Sequence, residues 1–442
     1  MRQSETRRHL PAPVRWAVVV SVAMSLAAAC STTPNPTVTA PGASSTGSTG
    51  SAPSTSSTPS TTGPVTSGST TTTPSDTPSG TSTPTDTTGA PTSCASRLVA
   101  AMDADERAGQ LLMVGLDNGA SRTSLDRLIA RRHLGGVILL GGWARGTDRV
   151  RATTRHLEAL ASQEDTAGLG LLIAADQEGG AVQQLRGEGF SRMPSARVQN
   201  QGTPADLTAD ATRWAGQLRT AGINVNLAPV ADTVPTSVGR DNGPIGQYDR
   251  QYSSDPARNA TMVGAFIAGM RAGRIASTIK HFPGIGRITG NTDVTARGIT
   301  DRTTTTTDPY LTPFRAGIED DVELVMVGSA KYSRIDPGVN ALFSKAVVTD
   351  LLREQLSYDG VVITDDVGAA KAVADVPTGE RATRFIEAGG DITLTARPST
   401  VPIMHDAITQ AMDDDPAFAE RVEESVTRVV DLKQRMGLAR CP

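Results

Sequence analysis

Histidine and cysteine are scarce in this chain of 442 residues, which has five of the first and three of the second, and aromatic side chains make up only 3%. The histidines, His9, His133, His156, His281 and His405, are scattered, and no Cys/His pair has the spacing of a zinc site. No metal and no other cofactor is expected. Charge of one sign is also lacking: the net charge is −4 with no strong regional block, so nucleic-acid binding has no electrostatic support. Long hydrophobic runs are missing too. The apolar stretch from Ala17 to Ala29 has thirteen residues, short of the about 20 that a membrane-spanning helix needs.

What is present at the start reads as an export signal. Arg2, Arg7, Arg8 and Arg15 precede or open the apolar stretch, and Leu26-Ala27-Ala28-Ala29-Cys30 resembles a bacterial lipobox. That resemblance implies cleavage before Cys30, which then carries lipid and holds the protein on the extracytoplasmic face of the cell membrane. An ordinary signal peptide or an uncleaved anchor is the plainer alternative. From Ser31 to Ser93, 54 of 63 residues are Ser, Thr, Pro or Gly, and Asp76 and Asp86 are the charged ones. Such a segment cannot bury enough apolar surface to offset its chain entropy and reads as an extended tether. The expected organisation is therefore a signal peptide over 1–29, a lipid-anchored linker over 30–93 and one folded domain over 94–442. Cys94 and Cys441 bracket that domain, and in an exported protein two such cysteines are expected to pair.

Eight short apolar runs follow Cys94: 111–114, 136–140, 169–174, 223–228, 275–279, 324–327, 361–363 and 392–394. Between them lie stretches with helical spacing, such as Leu207, Ala211, Trp214 and Leu218, or Met262, Val263, Phe266, Ile267 and Met270. Asp206 or Thr208 is the expected cap of the first of these helices, and Asp255-Pro256 reads as the start of the second. Thr349 or Asp350 is expected to cap a helix beginning at Leu351. Eight strands alternating with helices predict an α/β protein with a single (β/α)8 TIM-type barrel. A doubly wound open sheet shares the alternation, but no glycine-rich phosphate fingerprint follows the first strand.

Polar residues cluster where these runs stop. Asp176-Gln177-Glu178-Gly179-Gly180 follows the third run, Ala228-Pro229-Val230-Ala231-Asp232 ends the fourth, and Lys280-His281-Phe282-Pro283-Gly284 ends the fifth. Ile363-Thr364-Asp365-Asp366 ends the seventh. An unpaired charge at the end of a buried strand is costly unless a polar site surrounds it, and in a β/α barrel that end is where sites are built. Arg250, in the long loop after Asp232, is either a ligand clamp or a solvated loop cation.

These motifs occur in the order and spacing of family 3 glycoside hydrolases, and the chain most resembles the single-barrel β-N-acetylglucosaminidases of peptidoglycan recycling. The resemblance covers nearly all of residues 98 to 436. It implies that Asp365 is the nucleophile, that Asp176 accepts hydrogen bonds from sugar hydroxyls, and that Lys280, His281 and Arg250 contact the substrate. A retaining glycosidase of this kind also needs a proton donor for the leaving oxygen. In the family the lysine–histidine motif continues as Lys-His-Phe-Pro-Gly-His-Gly and is followed by Asp-Ser-His, whose histidine is that donor. Here Ile285 replaces the first of those histidines, and Asn291-Thr292-Asp293 occupies the second position. Asp293 is therefore the candidate acid/base, provided its pKa is raised. The alternative is that it merely orders its loop with Arg287 or Arg297. Ala181 and Gln184 also stand where the family has arginines, and Arg186 is a possible substitute.

The expected function is a retaining β-N-acetylhexosaminidase, monomeric and lipid-anchored, that acts on cell-wall glycans or muropeptides. A β-glucosidase on the same barrel is one alternative. A barrel that binds glycan without hydrolysing it is another, supported by the missing histidine.

Overall fold

The computed structural model describes residues 93–441. The signal segment, Cys30 and the linker as far as residue 92 lie outside those residues.

Eight parallel strands form one sheet: β1 (Leu112–Asp117), β2 (Gly136–Leu140), β3 (Leu172–Ala175), β4 (Val225–Asn226), β5 (Ala276–Phe282), β6 (Leu324–Val327), β7 (Val361–Thr364) and β8 (Thr393–Thr395). Each coincides with one of the apolar runs. They read as near-continuous hydrophobic stretches because helices cover one face of the sheet and the interior packing covers the other. Neighbours in space are neighbours in sequence, and β8 returns to pair with β1 through Leu112 with Thr393, Met113 with Leu394 and Val114 with Thr395. A bridge between Ile363 and Ile392 joins β7 to β8, so the ring closes as a (β/α)8 barrel.

The helices obey local rules that the sequence states. Helix Pro204–Thr220 starts at Thr203, whose hydroxyl accepts from the Asp206 N–H while the Asp206 carboxylate accepts from the Thr203 N–H. This capping box places the cap at Thr203, with Asp206 at the third position and Thr208 inside the helix, not at either of the two expected cap positions. Helix Pro256–Ala272 is capped by Asp255, as the sequence predicts. The two helices pack closely because Gly269 and Gly273 face Ala211 and Ala215. A Cβ on either glycine would stand 2.5 or 2.2 Å from the facing alanine Cβ.

The helix before β7 begins earlier than expected, as the π-helical segment Ala346–Gln355. Thr349 and Asp350 lie within it: Thr349 donates to the Ala388 carbonyl, and Asp350 pairs with Lys345. The chain needs that earlier start because Val347 and Val348 are buried in the core beside Leu351 and Leu352.

Helix Pro416–Arg435 ends the domain and buries Val422, Val426, Val429, Val430 and also Lys433. The Lys433 ammonium donates to Gln110 Oε1 at 2.6 Å, and burial brings its pKa down to about 7. Cys94 and Cys441 are joined as a disulfide, with their Cα atoms 5.7 Å apart. Among the described residues no helix is long and apolar enough to cross a membrane.

Candidate active site

All eight strands run the same way, so the polar residues that end them converge on one face. There they surround a cavity of about 300 Å³. Asp176, Arg250, Lys280, His281, Asp293 and Asp365 all line it, above a floor that includes Ile138, Leu227, Met326 and Leu394. With Asp366, seven charged or titratable side chains from five loops and strand ends therefore share one space.

The backbone after β3 makes the first wall. It leaves Asp176 into the two-stranded turn of Gln177–Gly179 and Val182–Gln183. Gly179 has φ +107°, and a Cβ there would meet the Pro194 carbonyl oxygen at 2.1 Å, so only glycine fits. This turn aims Glu178 inward beneath Asp176. Lys280 Nζ lies 2.6 Å from an oxygen of each carboxylate, and Arg250 grips Glu178 with two hydrogen bonds of 2.7 and 2.8 Å.

Glu178 is thus the hub of a buried network of two anions and two cations. Burial alone would raise its pKa, but Arg250 and Lys280 outweigh that and hold it at about 2. Burial likewise works against charge on Lys280, yet Asp176 and Glu178 keep its pKa above the ordinary value. Arg250 stays charged for the same reason, with Glu178 overriding its burial. The network is internally matched, so it presents fixed hydrogen-bonding groups to a ligand without leaving a buried charge unpaired.

His281 is oriented by Asp232, which is fully buried. The Asp232 carboxylate accepts from His281 Nδ1 at 2.7 Å, from the His281 N–H at 3.1 Å and from the Ile285 N–H at 2.7 Å. Assigning the Nδ1 proton to that bond leaves Nε2 for a ligand. The Lys280–His281 peptide bond is cis.

Across the cavity, the two carboxylates after β7 do different things. Asp366 accepts from the N–H groups of Gly368, Ala369 and Ala396, which commits it to holding its loop. Burial raises its pKa despite those bonds. Asp365 accepts from the Asp366 N–H at 2.9 Å, and among the described residues it takes part in no ion pair. It is the carboxylate left available to a ligand.

Asp293 stands on the loop that follows β5. Its own N–H donates to Asn291 Oδ1 at 2.9 Å, and its carbonyl accepts from the Lys371 N–H. By surface area the residue is exposed at the cavity rim, yet protein crowds its carboxyl group on the other sides. Burial and then the Asp365 carboxylate raise its pKa from 3.8 to about 6, against the opposing pull of His281 and Arg250. Neither Arg287 nor Arg297 pairs with it: Arg287 pairs with Asp308 and stacks on Tyr310 at 3.9 Å, and among the described residues Arg297 makes no ion pair. Asp365, in no ion pair among the described residues, and Asp293, raised to about 6, share this cavity and are the components of acid-assisted displacement.

Two members of this site were given no role from the sequence. Glu178 lies in the quoted Asp-Gln-Glu-Gly-Gly motif, but its role depends on Arg250, 72 positions away. Asp232 ends an apolar run, and its task becomes visible only once His281 is beside it. Arg186 does not reach the cavity; it donates to the Gln183 carbonyl. Among the described residues no group of three His, Cys, Asp or Glu side chains is gathered in the manner of a metal site.

Residues 103–432 match the glycosyl hydrolase family 3 N terminal domain. The chain belongs to glycoside hydrolase family 3. The β-hexosaminidase LpqI of Mycobacterium tuberculosis is 31% identical over 358 residues, which is 78% of this chain and 86% of that protein. A β-hexosaminidase of Alkalilimnicola ehrlichii is 31% identical over 319 residues, covering 70% and 87% of the two chains. Among solved structures, the β-N-acetylhexosaminidase of Beutenbergia cavernae superposes with a TM-score of 0.74 at 44% identity, covering 75% of this chain and 99% of that one. The structure of M. tuberculosis LpqI gives a TM-score of 0.67 at 28% identity, covering 77% and 96%. Family 3 membership makes the cavity at the strand ends the place to look for glycoside hydrolysis.

Proposed function

We propose that this family 3 protein is a retaining β-N-acetylhexosaminidase that removes β-linked N-acetylglucosamine from cell-wall glycans. The observation that carries the reading is that Asp365 and Asp293 line one cavity, the first in no ion pair among the described residues and the second raised to about 6. Asp365 attacks the anomeric carbon while Asp293 gives its proton to the departing oxygen. This forms a glycosyl ester on Asp365 and leaves Asp293 ionised. Asp293 then takes a proton from water as that water displaces Asp365, which returns both groups to their starting states.

Asp176 accepts from sugar hydroxyls, while Lys280, Arg250 and His281 Nε2 donate to them. Because Glu178 and Asp232 hold these groups before the sugar arrives, little reorganisation is needed on binding. The β-hexosaminidase names of the relatives support the N-acetylated sugar over glucose. The N-terminal signals and the LpqI likeness support a lipid on Cys30 and a site outside the cytoplasmic membrane. The domain acts as a monomer, with Cys94 and Cys441 tying its ends.

The test is covalent trapping with a 2-deoxy-2-fluoro or 5-fluoro glycoside followed by peptide mass spectrometry. Label on Asp365, and loss of turnover in Asp365→Asn, are expected. Label elsewhere with full activity in that variant refutes the assignment. A nitrophenyl glycoside panel separates the competitors: turnover of glucoside but not N-acetylglucosaminide favours a β-glucosidase. Binding of the sugar with no turnover of any activated glycoside favours a binding protein.

A further inference from the structure

Among the described residues the Asp293 carboxylate joins no ion pair and accepts no hydrogen bond, so its place is set through the main chain. That main chain is a small loop closed at its neck, where the Thr289 and Gly290 N–H groups both donate to the Gly298 carbonyl. At its tip the Asn291 carbonyl accepts from Val294 and Thr295, and Asn291 Oδ1 accepts from the Asp293 N–H. Two further bonds tie the tip to another element. The Lys371 N–H donates to the Asp293 carbonyl at 3.1 Å, and the Ala372 N–H donates to the Thr292 carbonyl at 3.0 Å. Thr292, Ala372 and Val373 are buried at this seam, although all three lie outside the strands of the barrel.

The element on the other side of the seam is anchored to Asp365. Lys371–Val373 is a short helical turn on the loop that Asp365 opens. Asp366 fastens the start of this stretch through the Gly368 and Ala369 N–H groups. Arg381 spans it, donating to the Val367 carbonyl at 2.7 Å and to the Val376 carbonyl at 2.8 Å. The two carboxyl groups thus stand on one connected frame, although they enter the cavity from the separate loops after β5 and β7. Paired catalytic groups tolerate little error in their separation, since 1 Å of misplacement can cost about 100-fold. We propose that the main-chain N–H groups of Lys371 and Ala372 are positioning groups for Asp293, holding it in register with Asp365. This rests on the hydrolytic assignment.

Lys371→Pro deletes one of the two N–H groups with little other disturbance. Ala370 already has φ −60° and ψ 134°, the conformation preferred before proline, and the first residue of a helical turn accepts the proline ring. In the full chain, kcat/KM for an N-acetylglucosamine disaccharide should fall by about tenfold or more, and its alkaline limb should move to lower pH as Asp293 drifts from Asp365. A dinitrophenyl glycoside, which scarcely needs the proton, should lose less than about twofold. Lys371→Ala keeps the N–H and should follow the native protein on both substrates. Arg381→Met releases the frame without touching the seam and should show the same split; if the proline variant does not fold, it is judged by the same criteria. Equal loss on both glycosides, or a native split and limb in a folded Lys371→Pro, overturns the proposal. Hydrogen exchange needs no turnover: the amides of residues 291–295 should exchange about tenfold faster in Lys371→Pro. A native protein that turns over neither glycoside sinks the hydrolytic assignment, whereas unchanged exchange over 291–295 sinks the positioning role.

Discussion

Replacing Asp293 by asparagine keeps the side chain's shape and its place at the cavity rim but removes its titrating proton. In the native protein the group titrates near about 6 because burial and the Asp365 carboxylate both oppose its ionisation. Half of the molecules then hold the proton at pH 6, and roughly one in thirty at pH 7.5. If that proton reaches the leaving oxygen, kcat/KM on an N-acetylglucosamine disaccharide falls above about pH 6. Asp293→Asn should lose that limb and be slower by about 10²–10⁴-fold. On a dinitrophenyl glycoside, whose leaving group scarcely needs protonation, the first step should change little, and azide should restore turnover.

The same shift has a thermodynamic sign. A raised folded-state pKa means that the fold binds this proton more tightly than the unfolded chain does. The resulting stability is complete below pH 3.8 and is lost as pH rises through about 6. The move from 3.8 to about 6 corresponds to ~3 kcal/mol, which solvent on the open side of the cavity screens to about 1–2 kcal/mol. Urea unfolding should therefore favour Asp293→Asn over the native protein by about 1–2 kcal/mol more at pH 7.5 than at pH 3.5. An unchanged alkaline limb in the variant, with an unchanged stability gap, would refute the reasoning.

Glu178→Gln leaves Lys280 and Arg250 facing each other with one carboxylate fewer. It should cost about 3–5 kcal/mol in urea unfolding and raise KM well above kcat's change. The native contribution of Glu178 is present above pH 4.5 and lost as pH falls from there through about 2, and the variant's acid unfolding should lack that component. Lys433, brought down to about 7 by burial, binds its proton more tightly in the unfolded chain, so native stability should rise from pH 7 towards 10. Thermal unfolding of Lys433→Met should show no such rise. Changing Cys94 and Cys441 together to serine frees a loop spanning 347 positions and should lower stability by about 3–5 kcal/mol with kcat unaltered.

The barrel is legible in the sequence because its strands are buried on both faces, so each is a short unbroken apolar run with a polar residue where it stops. The site residues could be picked out for a related reason: Lys280, His281 and Asp365 are charged or titratable groups where burial should have ended in an apolar side chain. Pairings between distant loops were not legible. Nothing near Glu178 in the chain announces Arg250, and nothing near Asp232 announces the imidazole it holds. Capping was readable in principle, since Thr203-Pro204-Ala205-Asp206 spells the box that the helix uses, but the apolar spacing drew attention one turn too late. The start of the helix at Ala346 was hidden because Val347 and Val348 belong equally well to a strand or a buried helix face.

The pairing of Leu112 with Thr393 has a consequence for biosynthesis. Until the last strand leaves the ribosome, the nascent sheet has two raw margins, and the side chains that flank the sugar pocket have no completed frame to stand on. Chains that stop short of residue 395 should therefore be sticky and inert however much of the catalytic apparatus they already carry.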